Sequence, residues 1–213
     1  MSYIPALRYE SLTRFYDPIL RATLKEDHFK QLLVAQAALQ PGHRVLDVGC
    51  GTATLTLLLK QACPEAEVTG LDGDPKVLEL ARTKIQKTGL EIALAHGLAW
   101  EAPFRSASFD RIVSSLVFHH LKTDEKRRTL GRCRELLKPG GEIHVADWGK
   151  AQNVAMRTAF LAIQCLDGFE TTADNVQGRM PAFMTEVGFQ AVEETHREMT
   201  VFGTLSLYRG AVP

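Results

Sequence analysis

The stretch VLDVGCGTATL, residues 45–55, constrains the fold of this chain more than any other part of it. An apolar run ends in an acid, two glycines follow one residue apart, and a helical pattern starts at once. A buried strand that breaks through a glycine turn into a helix N-terminus is how nucleotide-binding units in parallel sheets begin.

The rest of the chain repeats that alternation. Residues 44–48 read as a strand, 52–62 as a helix with Leu55, Leu58 and Leu59 on one face, and 68–71 as a second strand ending at Asp72. Strand, helix, strand implies a parallel pair. Asp74-Pro75 starts the next helix, with Val77, Leu78, Ala81 and Ile85 inward and Gly89 near its end. Short strands are expected at 92–95 and 109–116, and a helix at 123–137 that stops at Pro139-Gly140-Gly141. A fifth strand over 143–147 is nearly all apolar and therefore central. Helices over 154–166 and 175–187 follow, then two strands at 189–195 and 199–208, close enough to form an antiparallel hairpin. Ahead of the core, 18–40 is helical in pattern, with a break near 25–27. The expected fold is an α/β doubly wound, Rossmann-like sheet with helices on both faces. Its ligand site lies at the carboxyl ends of the strands, where Asp47, Gly49, Gly51, Asp72, Leu98 and residues 114–120 converge.

The ligand can be narrowed by elimination. A Walker loop needs a lysine after its glycines, and none is present. The dinucleotide fingerprint needs a third glycine where this chain has Thr54. Asp47 moreover stands where a pyrophosphate would approach, and would repel it. The loop therefore suits a ligand that carries positive charge.

Composition sets the remaining bounds. The 213 residues are 45% hydrophobic and 23% charged with a formal net charge of zero, as for one soluble domain without a global field to gather nucleic acid. No apolar run approaches the ~18 residues of a membrane span, and no basic-then-apolar leader opens the chain, so a cytoplasmic location is expected. Cys50, Cys63, Cys133 and Cys165 are too widely spaced for a zinc motif and read as reduced thiols, mostly buried. No metal site is expected.

Four motifs in order, VLDVGCGTATL, VTGLDGDPKVLELAR, APFRSASFDRIVSSLVFHHL and LLKPGGEIHVADWG, resemble those of class I S-adenosylmethionine-dependent methyltransferases, in particular small bacterial ones related to quinone-biosynthesis methyltransferases. The segment EVGFQAVE is similar to the family's sixth-strand entry. The resemblance implies a seven-stranded, mostly parallel sheet whose last strand is antiparallel. It implies a single domain over 1–213, with an N-terminal helical cap (1–40), a cofactor-binding core (41–148), and C-terminal helices with a closing hairpin (149–213). The implied cofactor, S-adenosylmethionine, has an ammonium group, a sulfonium and no phosphate. Asp47, Gly49, Cys50 and Gly51 would then line its methionine end, with Ser114 and Ser115 beneath, and Tyr16 could close over it. Asp72 would accept the ribose hydroxyls, its two oxygens matching two donors. That acid would equally suit NAD. In many relatives a carboxylate reads the adenine amino group, whereas this chain has Leu98 followed by Ala99, and Gly73 stands where an apolar residue often packs on the ring. Backbone groups of Leu98 and Ala99 would have to read adenine, and modest cofactor affinity is expected.

The acceptor side is less defined. Methyl transfer from a sulfonium is an in-line displacement on an activated carbon, so a base is needed only where the nucleophile must lose a proton. His119 and His120 are the best-placed titratable groups for that role. Phe118, His119 and Trp148 are candidates to wall the acceptor pocket. Adjacent histidines rarely chelate one ion, and no third ligand is evident. The segment 122–138 holds seven basic and three acidic residues, read as a solvated helix face. The expected acceptor is a small molecule rather than nucleic acid, enclosed by the N-terminal helices and 149–188, which would cap the strand ends. The competing readings are a methyltransferase-like binding protein without catalysis and an NAD-dependent oxidoreductase. The oligomeric state is left open.

Overall fold

The computed structural model describes residues 26–213. Its strands are β1 (Arg44–Val48), β2 (Glu67–Asp72), β3 (Ala93–His96), β4 (Phe109–Ser115), β5 (Leu137–Trp148), β6 (Gln190–Thr200) and β7 (Gly203–Ala211). They form one sheet in the order β3-β2-β1-β4-β5-β7-β6. The first five run parallel, and β7 enters antiparallel between β5 and β6. Two crossovers lead outward from β1 in opposite directions, which opens a crevice at the carboxyl ends of β1 and β4.

Seven α-helices cover the sheet among the described residues: α1 (Glu26–Ala37), α2 (Thr54–Ala62), α3 (Pro75–Gln86), α4 (Thr123–Leu136), α5 (Val154–Asp167), α6 (Phe169–Gln177) and α7 (Met180–Glu186). Side chains along β1 alternate between the two faces. Leu46 and Val48 join Leu130, Cys133 and Leu136 of α4 and Phe183 of α7 in one core. Val45 joins Phe29, Leu33 and Ala37 of α1 and Leu55 and Leu59 of α2 in the other. The part of the 1–40 segment that is described thus lies across a sheet face; it does not cap the strand ends.

Three boundaries differ from the sequence pattern, each for a local reason. The helix over 123–137 stops at Leu136 and β5 starts at once, earlier than the expected 143. Pro139 disfavours helical geometry at Lys138, and Gly140 and Gly141 pair with Val212 (3.0 and 2.9 Å) where a free turn was expected. The helix expected over 175–187 is two helices, because Gly178 adopts a left-handed conformation (φ 70°) that caps α6. The hairpin turn falls at Val201-Phe202, held by the Thr200 hydroxyl, which accepts from Phe202 N–H and donates to the Gly203 carbonyl.

All four cysteines are unpaired, and only Cys165 is exposed. Among the described residues no helix is long and apolar enough to cross a membrane.

Candidate active site

The loop after β1 is held by the end of β2. Gly49 and Cys50 both donate their N–H to the Leu71 carbonyl (2.8 and 3.0 Å), and Gly51 N–H donates to Asp72 Oδ2 (2.9 Å). Asp74 N–H takes the other Asp72 oxygen (2.9 Å). Each carboxylate oxygen keeps a lone pair for a further donor, as a pair of ribose hydroxyls requires.

The two glycines serve different ends. A Cβ at Gly49 (φ 71°) would lie 2.3 Å from Val117 Cγ2, so the close approach there is the chain's own side chain. A Cβ at Gly51 (φ 53°) would meet nothing within 4 Å, so that position faces open space beside Asp72. Ala53, also left-handed (φ 62°), then turns the chain into α2.

Asp47 is 1% exposed and accepts a hydrogen bond from Thr56 Oγ1 of α2 (2.7 Å). Burial pushes its carboxyl up to about 6, partly offset by the Thr56 bond and by Lys30, while Asp72 adds repulsion. Burial, reinforced by Asp47 and Asp72, also pushes the Cys50 thiol up, so Cys50 is an inert packing group. Among the described residues neither Asp47 nor Asp72 has an ion-pair partner, so the loop carries two acids and favours a cationic ligand. The residues present therefore fit a nucleoside whose other end carries ammonium and sulfonium charge.

The other predicted cofactor residues border the same crevice. Gly97 N–H donates to the Asp72 carbonyl (3.0 Å), which sets Leu98 and Ala99, both half-buried, beside Asp72. The Gly73 carbonyl meets the His96 ring (3.2 Å). Ser114 is buried and donates to the Val48 carbonyl (2.9 Å), tying β4 to β1. Ser115 Oγ is buried and has no hydrogen-bond partner among the described residues. Tyr16 lies outside the described residues.

The corner where the acceptor is expected is built around an acid that sequence reasoning missed. Asp147, fully buried at the end of β5, accepts from Phe118 N–H (2.7 Å), His119 N–H (3.3 Å), Trp148 N–H (2.7 Å) and His119 Nδ1 (2.8 Å). Asn175 Nδ2 of α6 approaches at 3.4 Å and donates to the Trp148 carbonyl (2.8 Å). Burial works against charge on both partners. The mutual attraction of Asp147 and His119 overcomes it, holding the carboxyl below its ordinary range and lifting the imidazole above its own. Asp167, at the last position of α5, faces His119 Nε2 at 3.5 Å and His120 Nδ1 at 3.8 Å. Burial raises Asp167, and His119 partly offsets this. His120, packed on the His119 ring at 3.9 Å, is pushed down to about 3 by burial and by that neighbour.

Two expectations change here. Phe118 is fully buried in the core with α4 and α7, so it anchors the turn from below and lines no pocket. A third group for the histidine pair does exist: His119, His120 and Asp167 bring one ligand atom each within 4.8 Å of one another. Trp148 remains at this corner, edge-on to His119 at 6.4 Å and packed on Phe160. Two signals in the chain pointed to the missing acids. Asp147 ends a buried apolar strand, where a charge must be paired, and Asp167 sits at a helix C-terminus, where an acid opposes the dipole.

The sheet order is that of a class I methyltransferase fold, and the glycine turn on Asp72 lies at its crevice. Comparison with known proteins agrees. Residues 45–141 match a methyltransferase domain family. An uncharacterized methyltransferase of Synechocystis is 27% identical over 169 residues, covering 79% of this chain and 77% of that protein. The demethylmenaquinone methyltransferase of Thermus thermophilus is 36% identical over 105 residues, 49% of this chain and 47% of that protein. The chain thus matches about half the length of that relative. Among solved structures, a Haemonchus contortus phosphoethanolamine N-methyltransferase in complex with S-adenosylhomocysteine superposes with a TM-score of 0.71 at 14% identity, over 87% of this chain and 52% of that one. The family matched over residues 45–141, the relatives and the fold support a class I S-adenosylmethionine-dependent methyltransferase, with S-adenosylmethionine as the cofactor.

Proposed function

We propose that the protein transfers a methyl group to a small-molecule acceptor by in-line displacement. The observation that carries this reading is the placement of two unlike half-sites on neighbouring strand ends. An acidic glycine loop with Asp72 lies on one side, and a rigid His119–Asp147 pair beside Trp148 lies on the other.

The cofactor supplies a methyl carbon already activated by its sulfonium. Asp72 holds the ribose, with backbone amides of Gly51 and Asp74 fixing both of its oxygens in place. Asp47 contributes negative charge from beneath the loop, and Ser114 locks β4 to β1 so that the two half-sites keep their spacing. On the acceptor side, α5 and α6 bring Asp167 and Asn175 over the end of β5 and exclude bulk water from it. Alignment and desolvation of this kind supply much of the acceleration that a displacement on an activated carbon needs. The half-buried corner, roofed by helices, suits a small molecule rather than a macromolecular surface.

The test is production of S-adenosylhomocysteine from labelled cofactor across a panel of small acceptors. Demethylated quinols come first, since relatives are named for that reaction. Acceptor-dependent turnover with transfer of the label supports the reading. Cofactor binding without turnover on any acceptor would favour a binding protein instead.

A further inference from the structure

We propose that His119, His120 and Asp167 form a binding site for one divalent first-row transition cation, of the zinc or cobalt kind, at the acceptor corner. The set is two imidazoles and one carboxylate, a nitrogen-rich combination that suits such metals and not magnesium or calcium.

Four observations support it. The first is spacing. A tetrahedral ion with bonds of about 2.0–2.2 Å needs donor atoms roughly 3.3–3.6 Å apart. Asp167 Oδ2 lies 3.5 Å from His119 Nε2 and Asp167 Oδ1 lies 3.8 Å from His120 Nδ1, and one donor atom from each of the three residues lies within 4.8 Å of the others, so closure asks for movements of roughly an ångström or less. The second is orientation. His119 Nδ1 is engaged by Asp147 at 2.8 Å, which fixes the ring and leaves Nε2 directed at Asp167. A carboxylate behind a histidine in this way is the usual support of a metal-bound imidazole.

The third is charge. Asp147 and Asp167 bring two carboxylates to the corner, and the nearest lysine, Lys126, is committed to Asp174 and to the Thr171 carbonyl. The corner therefore has a place for one positive charge, which either a proton on His119 or a metal ion can fill. Asp167 also stands at the carbonyl end of α5, where the helix dipole attracts a cation. The fourth is access. His119 is almost fully buried, whereas His120 and Asp167 are 34% and 23% exposed in their side chains. An ion can enter from their side, and three protein donors leave at least one position for water or for an oxygen of the acceptor.

Untagged, metal-stripped full-length protein titrated with Zn²⁺ and, separately, with Co²⁺ tests this without reference to methyl transfer. The expected result is one equivalent of either ion, with visible absorption for Co²⁺ characteristic of low coordination number. Asp167→Asn and His120→Ala should each weaken binding about tenfold or more, and Asp147→Asn about 10–100-fold. His28→Ala, with a half-exposed ring outside the corner, should change nothing. Zn²⁺ should raise the melting temperature of the wild type and not that of Asp167→Asn, whose circular dichroism should remain native. Substoichiometric uptake in excess metal, or one equivalent bound by Asp167→Asn with wild-type affinity, would overturn the proposal and leave the positive charge at the corner to a protonated His119.

Discussion

The two ends of the crevice were made in different ways. The end where the cofactor is proposed to bind is local: Asp47, Gly49, Gly51 and Asp72 lie within 26 residues, and the N–H groups of Gly49, Cys50 and Gly51 all bond to the end of the next strand. The corner proposed for the acceptor is assembled from four separate elements, with His119 after β4, Asp147 near the end of β5, Asp167 ending α5 and Asn175 in α6. A local site is set by backbone conformation and a few acids. An assembled one depends on buried charge, and its members must all be present for any of them to be tolerated.

Substitutions at the two ends should separate them. The largest effect is expected at Gly49, where a side chain combines an unfavourable φ with a 2.3 Å overlap on Val117. Gly49→Ala should cost about 3–4 kcal/mol in denaturant unfolding and abolish cofactor binding. Val117→Ala in the same chain should restore part of the stability, because it removes the overlap but not the backbone strain. Full recovery would mean that φ at this position costs nothing.

Next comes Asp147→Asn, at about 2–4 kcal/mol. Both oxygens of Asp147 accept from N–H groups, so either orientation of an amide turns its NH₂ toward a donor. Cofactor affinity, read by calorimetry on the folded fraction, should stay within a few-fold of wild type if the two ends are independent.

The opposite sign is expected at Asp47. Its carboxyl is raised to about 6, chiefly by burial, so the folded state holds this proton more tightly than the unfolded chain does. Stability from this group is therefore present at low pH and is lost as pH rises from the ordinary carboxylate range to about 6. Asp47→Asn keeps an acceptor for Thr56 and removes the charge. It should stabilise the ligand-free protein by about 1–3 kcal/mol at neutral pH, with the gain vanishing below about pH 4. Cofactor binding should weaken, since the loop loses half of its negative charge. Equal melting temperatures for the two proteins at pH 7.5 would contradict the assignment.

What the sequence revealed follows the same division. The strand and helix order, the glycine loop and the acid at the end of β2 were legible because each rests on a period or a motif a few residues long. Elements whose ends depend on partners were not. The extension of β5 through Gly140 needs Val212, and the place of the hairpin turn needs the register of β6 on β7. Phe118 and the histidines lie on one short turn, and only the packed structure shows that Phe118 faces the core while His119 faces Asp147. A helix end at Asp167 and a strand end at Asp147 come together through the path of three chain segments, which no local pattern encodes.

Asp72 and the Gly51 turn are proposed to hold the nucleoside of S-adenosylmethionine. Calorimetric titration of S-adenosylhomocysteine into wild-type protein and Asp72→Ala tests this most directly. The account predicts a single site in the wild type and a loss of about 10–100-fold in affinity for Asp72→Ala, consistent with removing two charge-assisted hydrogen bonds. Unchanged binding in Asp72→Ala, or binding of NAD in place of S-adenosylhomocysteine, would contradict it.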